Sequence, residues 1–150
     1  MKTRVSSSVY IDRSPEEVER IILDPSKTVL WTSDLEKFEV ISGEPGFAGS
    51  RAKLHYLEGG RRYVMEDHLV EVDPGRRYLS HVSGAAIDAS VETLLEPEGA
   101  GTVVRIHWTG RGKPLLLRLV LPFIRGNISR QAQKDLVKLK ELVESGQRVE

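Results

Sequence analysis

The stretch from Pro114 to about Ser145 restricts the possible folds most. Its distal half carries Ile124, Ile128, Ala132, Leu136, Leu139 and Val143 at spacings of three and four, with Arg130, Lys134, Lys138, Lys140 and Glu144 elsewhere. An α-helix turns once in about 3.6 residues, so this spacing gathers the apolar set into one stripe that must be buried. The proximal half, Leu115 to Ile124, is apolar almost all round except for Arg118, so it is covered on more than one side or covers something itself. A large concave partner is required. Pro122 removes a backbone donor inside the pattern and predicts a kink or restart near Leu121.

The rest of the chain supplies that partner. Residues 3 to 12 alternate, with Val5, Val9 and Ile11 on one side and Arg4, Ser6, Ser8 and Tyr10 on the other, as in a half-buried strand. Ser14-Pro15-Glu16-Glu17 is a helix start: Ser14 caps, Pro15 suits the first turn and Glu17 completes a capping box. The short helix buries Val18, Ile21 and Ile22; Asp24-Pro25 ends it, and Ser26 is expected to cap a second one through about Trp31. From Leu35 to Gly110 alternating runs are separated by turn residues such as Gly59-Gly60 and Asp73-Pro74-Gly75. These predict strands over 36–42, 50–58, 61–72, 77–83, 86–95 and 102–110, antiparallel because their connections are short. The fold class is α+β: seven antiparallel strands, two short helices after the first, and a long C-terminal helix.

Register is predictable near the end of the meander. A hairpin around Pro97 to Gly101 sets Val91 opposite Ile106, Ala89 opposite Trp108 and Glu92 opposite Arg105, and puts His81 near Asp88 on the outer face. Leu54, Tyr56, Tyr63 and Met65 share one face while Val70 and Val72 have the opposite parity. A one-residue bulge near Asp67 reconciles them, since a single slip exchanges the faces.

Composition removes whole classes of function. The 150 residues suit a single domain, and 22 basic residues balance 22 acidic ones, so no global field draws in nucleic acid. With no cysteine, disulfides, thiolate metal sites and cysteine nucleophiles are excluded. The N-terminus lacks the apolar run of a signal peptide, so a cytoplasmic location is expected. Leu115 to Ile124 is about half the roughly 20 residues that span a bilayer, so no stable insertion is expected.

The order of elements, the helix start Arg13-Ser14-Pro15-Glu16-Glu17-Val18, the segment Val72-Asp73-Pro74-Gly75-Arg76-Arg77-Tyr78, and Arg130 with Leu136, Leu139, Lys140 and Glu144 resemble the START-like (SRPBCC, Bet v 1-like) superfamily, nearest its polyketide cyclase/dehydrase and lipid transport branch. The resemblance implies a helix-grip fold, in which a curved sheet wraps the long helix and encloses a hydrophobic cavity. It implies a fold and not a reaction.

On that basis Trp31, Tyr56, Tyr63, Met65, His68, Tyr78, Ser80, Ala89, Val91, Trp108 and Phe123 are the candidate cavity residues, with the small Ser80 and Ala89 leaving space, so that Ala89→Phe should fill it at little cost in stability. The expected partner is a hydrophobic or amphipathic small molecule or lipid, given hydrogen bonds by Tyr63, His68 or Ser80, with no cofactor. The apolar segment 115–124 suits a gate, or transient contact with a membrane surface during ligand exchange. His55, His68, His81 and His107 form no HxH or HExxH pair, so no metal site is expected. In Glu66-Asp67-His68 the bulge turns Glu66 or His68 inward, where burial makes an acid or base useful near Tyr63. The glycine-rich run 43–49 lacks a GK[ST] ending and is a turn, and Arg61-Arg62, Arg76-Arg77, Arg111, Lys113, Arg118 and Arg125 are solvated charges or an anion-facing rim. A cyclase/dehydratase-type enzyme and a protein-interaction module similar to Hsp90 activators are the alternatives to binding. A buried ionisable group converging on the cavity favours the enzyme; an apolar outer face favours the module. The ligand and the oligomeric state are not legible.

Overall fold

A computed structural model describes residues 2–113 and 125–146. Seven strands, β1 (Thr3–Ile11), β2 (Leu35–Ser42), β3 (Arg51–Glu58), β4 (Arg61–Asp73), β5 (Arg77–Ser83), β6 (Ile87–Glu98) and β7 (Gly101–Gly112), form one antiparallel sheet in the order β1-β7-β6-β5-β4-β3-β2. Two short helices, α1 (Pro15–Ile22) and α2 (Thr28–Trp31), carry the chain from one sheet edge to the other, and α3 (Arg125–Glu144) closes the order. The helix-grip architecture that the resemblance implies is present. Phe123, Pro122, Arg118, Ile124 and the apolar segment 115–124 lie outside the described residues.

The stripe of α3 behaves as its spacing dictates. Leu136 and Leu139 are fully buried and Val143 is buried, while Lys138 is exposed. They pack with Ile11, Val18, Tyr78, Leu95 and Val104 into one core, which Val9, Ile21, Ile22, Trp31, Leu69, Val72 and Ile106 border. The end of α3 is anchored by the β1–α1 corner: Arg13 donates to the carbonyls of Glu144 (2.7 Å) and Gly146 (3.1 Å), and the Asp12 amide donates to the Glu144 carboxylate (2.8 Å). The Arg13 guanidinium thus satisfies carbonyls that a helix C-terminus leaves open, and the Asp12 amide holds the side chain of the last helical residue.

Local chemistry explains α1 but corrects α2. The Ser14 side chain accepts from the Glu17 amide (3.3 Å) as the capping box requires. Ser26 instead turns back onto Asp24, its amide (2.9 Å) and hydroxyl (2.7 Å) both donating to that carboxylate, and α2 begins after Lys27 without a side-chain cap.

Two register expectations change. β6 continues through Pro97 to Glu98, so the turn contains only Gly99 and Ala100, and the pairs become Val91 with Trp108, Ala89 with Gly110 and Glu92 with His107. Similarly Ser83, not His81, stands opposite Asp88. Both shifts are of two residues, which keeps every side chain on its expected face. Glu92 consequently pairs with Arg77 (2.6 Å), and Arg105 with Glu96 (3.2 Å).

The second change matters more. The bulge in β4 lies between Leu69 and Glu71, beyond the expected position near Asp67: Leu69 pairs with Ser80, Glu71 with Leu79, and Val70 is the extra residue. Tyr63, Met65, Asp67 and Leu69 therefore share the inner face, and Glu66 and His68 stand on the outer one, with His68 opposite both Arg51 and His81. Leu69 and Val72, on either side of the bulge, both meet the core, which is what the extra residue achieves.

Candidate functional site

The inner face of the sheet has two regions. Where α3 lies against it, Ile11, Val104, Leu95 and Tyr78 are buried. Toward the other ends of the strands, Met65, Asp67, Ser80, Val82, Ile87, Val91 and Trp108 are only partly buried. Alternation from the core residues puts them on the same face, and strand pairing makes them neighbours, with Trp108 beside Val91, Val91 beside Ser80, Val82 beside Asp67 and Met65 beside Leu54. The surface is apolar except for Ser80 and Asp67.

Asp67 is the group that sequence reasoning missed. Burial pushes its carboxyl up from 3.8 to about 6, and a hydrogen bond from Ser80 opposes part of that rise. The signal was present in the mixed parity of Tyr63, Met65, Val70 and Val72, but the bulge had to be placed to within a residue to tell Asp67 from its neighbours.

Tyr56 and Tyr63 stand opposite each other and stack, ring centroids 5.0 Å apart and planes 14° from parallel. Burial raises the Tyr56 phenol above its ordinary range, and the carboxylates of Asp67 and Asp135 raise it further, so Tyr56 stays a neutral donor. Tyr63 is more exposed and its hydroxyl donates to Glu58 (2.9 Å). The two rings also border a depression of about 300 Å³ that continues past Glu36, Lys37, His55 and Arg62.

α2 and α3 face these strands. Ser33 donates from its amide (3.0 Å) and hydroxyl to Asp135, Gln131 donates to Asp34 (3.2 Å), and burial raises the Asp135 carboxyl above the usual range. These bonds hold Trp31 against the core, where its indole N–H is buried without an acceptor among the described residues.

The remaining expected residues are distributed differently. Tyr78 is packed into the core, 4% exposed, and its hydroxyl donates to Glu19, which also receives the Gly75 amide. Ala89 faces Gly110, whose surface is covered by the Trp108 indole. His68 is on the outer face, which is mostly polar, with Lys53 opposite Glu66, His55 bonded to Glu39 (2.8 Å) and His107 to Ser6 (2.7 Å), and with Tyr10, Val64, Leu79, Leu94 and Val103 set singly or in pairs among them. Lys113 pairs with Asp88 (3.0 Å) and Arg62 with Glu36 (3.5 Å). No described helix is long and apolar enough to cross a membrane.

Solved structures share this architecture. The TTHA0849 protein from Thermus thermophilus is 22% identical with a TM-score of 0.77, over 95% of this chain and 98% of that one. The ZhuI aromatase/cyclase from Streptomyces sp. R1128 is 15% identical with a TM-score of 0.80, over 96% and 94%. Ara h 8.0201 is 15% identical with a TM-score of 0.74, over 97% and 100%. At these identities the likeness concerns the fold. Among curated proteins no sequence matches. The profile of one family, described as polyketide cyclase / dehydrase and lipid transport, matches residues 2–144. With that match over nearly its whole length and the helix-grip fold around α3, the chain belongs to the polyketide cyclase/dehydrase and lipid transport family of the SRPBCC superfamily.

Proposed function

We propose that the protein binds a hydrophobic or amphipathic small molecule between α3 and the inner face of β3–β7. One observation carries this reading: the partly buried apolar surface of Met65, Val82, Val91 and Trp108 continues directly from the packed core. Shape and apolar burial would supply the affinity there, and Asp67 with Ser80 the orientation. Family membership supports the same class of ligand. Saturable, one-to-one binding of the neutral dye Nile red is expected. Val91→Phe, which adds a ring between Ser80 and Trp108, should weaken it by about tenfold while the protein stays folded. Absence of saturable binding, or unchanged affinity in a folded Val91→Phe variant, overturns the reading.

A second reading, acid–base catalysis of the cyclase or dehydratase kind, is favoured by Asp67. A buried carboxyl with a pKa of about 6 exchanges a proton near neutral pH, and the neutral Tyr56 phenol is a second polar group within its electrostatic reach. The fold shared with the ZhuI aromatase/cyclase is consistent with it. The outer face carries mostly charged and polar side chains, among them Glu66, His68, His81, Glu92 and Arg105, which gives the interaction-module alternative less support.

A further inference from the structure

Asp67 is charged, and no cation among the described residues meets it. Apart from Glu58 and Arg61, which pair at the β3–β4 hairpin end six residues along the strand from Asp67, the other inner-face positions of β1 and β3–β7 are apolar, hydroxyl-bearing or glycine, while Arg4, Lys53, Arg77 and Arg105 alternate onto the outer face. Within the site Ser80 is its hydrogen-bonding partner. Of the other hydroxyls nearby, those of Tyr63 and Tyr78 are committed to Glu58 and Glu19, and that of Tyr56 is a neutral group that brings no charge. The titratable group that interacts with it from a neighbouring strand is Tyr56 on β3, which is neutral; Asp135 on α3 acts on the same phenol and has the same sign as Asp67, and Lys134 and Lys138 act on Asp135. An ionised carboxylate accepts about four hydrogen bonds, so Ser80 leaves most of that capacity open on an otherwise apolar surface.

We propose that the site selects amphipathic molecules whose polar end is a hydrogen-bond donor, a protonated amine ahead of a hydroxyl, seated on Asp67 and Ser80, and that it discriminates against carboxylates such as free fatty acids. This rests on the ligand-binding reading above. A protonated amine supplies both the missing donors and the missing charge, and such charge-assisted bonds are roughly twice as strong as neutral ones. A hydroxyl supplies the donor alone. A carboxylate meets like charge in a poorly solvated place and gains only if Asp67 first takes up a proton. The 22 basic and 22 acidic residues cancel, so the preference would be a property of the site and not of the whole molecule.

Dodecylamine, dodecanol and dodecanoate share one apolar body and can compete for bound Nile red below their aggregation concentrations. At pH 7.5 the expected order is amine, alcohol, carboxylate, the first and last separated by about tenfold or more. In Asp67→Asn the ratio of amine to carboxylate affinity should fall to about one, because charge at the site is removed while shape is kept. In the unmodified protein the same ratio should shrink as pH falls below about 5, with circular dichroism confirming the fold; this arm requires no variant. Carboxylate binding as tight as amine at pH 7.5, or an amine preference that persists in Asp67→Asn or at low pH, overturns the inference while dye binding leaves the ligand-binding reading standing. Failure of Nile red itself to bind overturns both.

Discussion

The indole of Trp108 covers Gly110 so closely that a Cβ at position 110 would collide with ring atom Cη2 and stand 2.5 Å from Cζ2. Only glycine permits this arrangement, which lays the ring along its own strand beside Ala89. Gly110→Ala should therefore displace the ring and destabilise the fold by about 1–3 kcal/mol, with a shift in tryptophan emission. Ala89→Phe, which on the sequence alone should be well tolerated, meets the same indole and should cost a similar amount. Denaturant unfolding of both variants checks this; unchanged midpoints would mean that the ring moves freely.

The α3 stripe makes a sharper contrast. Leu136→Ala removes a fully buried side chain and should cost about 2–5 kcal/mol, whereas Lys138→Ala, two residues away on the exposed face, should stay within about 0.5 kcal/mol. Thermal or denaturant unfolding distinguishes the two, and equal effects would contradict the one-sided packing of α3.

Asp67 makes stability depend on pH in a stated direction. Its carboxyl holds a proton more tightly in the folded protein, at about 6 against 3.8, so folding takes up a proton between those values. The contribution is fully present below about pH 4, is lost as pH rises through about 6, and is level above. Asp67→Asn lacks this loss. Its stability relative to the unmodified protein should increase from pH 4 to 7 and level off, the increase reaching at most about 3 kcal/mol. Asp135, also raised, has the same sign but is common to both proteins and cancels in the difference. A flat difference across that range would place Asp67 in contact with water.

Glu19 serves two donors at once, the Tyr78 hydroxyl and the Gly75 amide, and so ties α1 to the turn between β4 and β5. Glu19→Ala leaves the buried Tyr78 hydroxyl unpaired and should cost about 1–3 kcal/mol. Adding Tyr78→Phe removes the unpaired group, so the double variant should recover part of the loss. A double-mutant cycle measured by chemical denaturation tests this coupling, and strict additivity would remove it.

The sequence by itself determined the elements and their faces. Period-two alternation and turn residues located seven strands to within a few residues, and the stripe of Leu136, Leu139 and Val143 identified the helix that they grip, because burial of one face leaves a periodic imprint on the chain. Pairing offset was less constrained. Shifting β6 against β7 by two residues preserves both faces, so alternation could not choose between Val91 opposite Ile106 and Val91 opposite Trp108. The bulge was legible as a conflict of parity but not as a position. Moving it from Asp67 to Val70 turns Asp67 inward and His68 outward, and only the packing of both Leu69 and Val72 against the core decides that. The candidate site thus depended on long-range contacts: Ser80 reaches Asp67 across a strand pair, and Tyr56 on β3 comes under the influence of both Asp67 on β4 and Asp135 on α3, relationships for which no local spacing in the chain gives a sign.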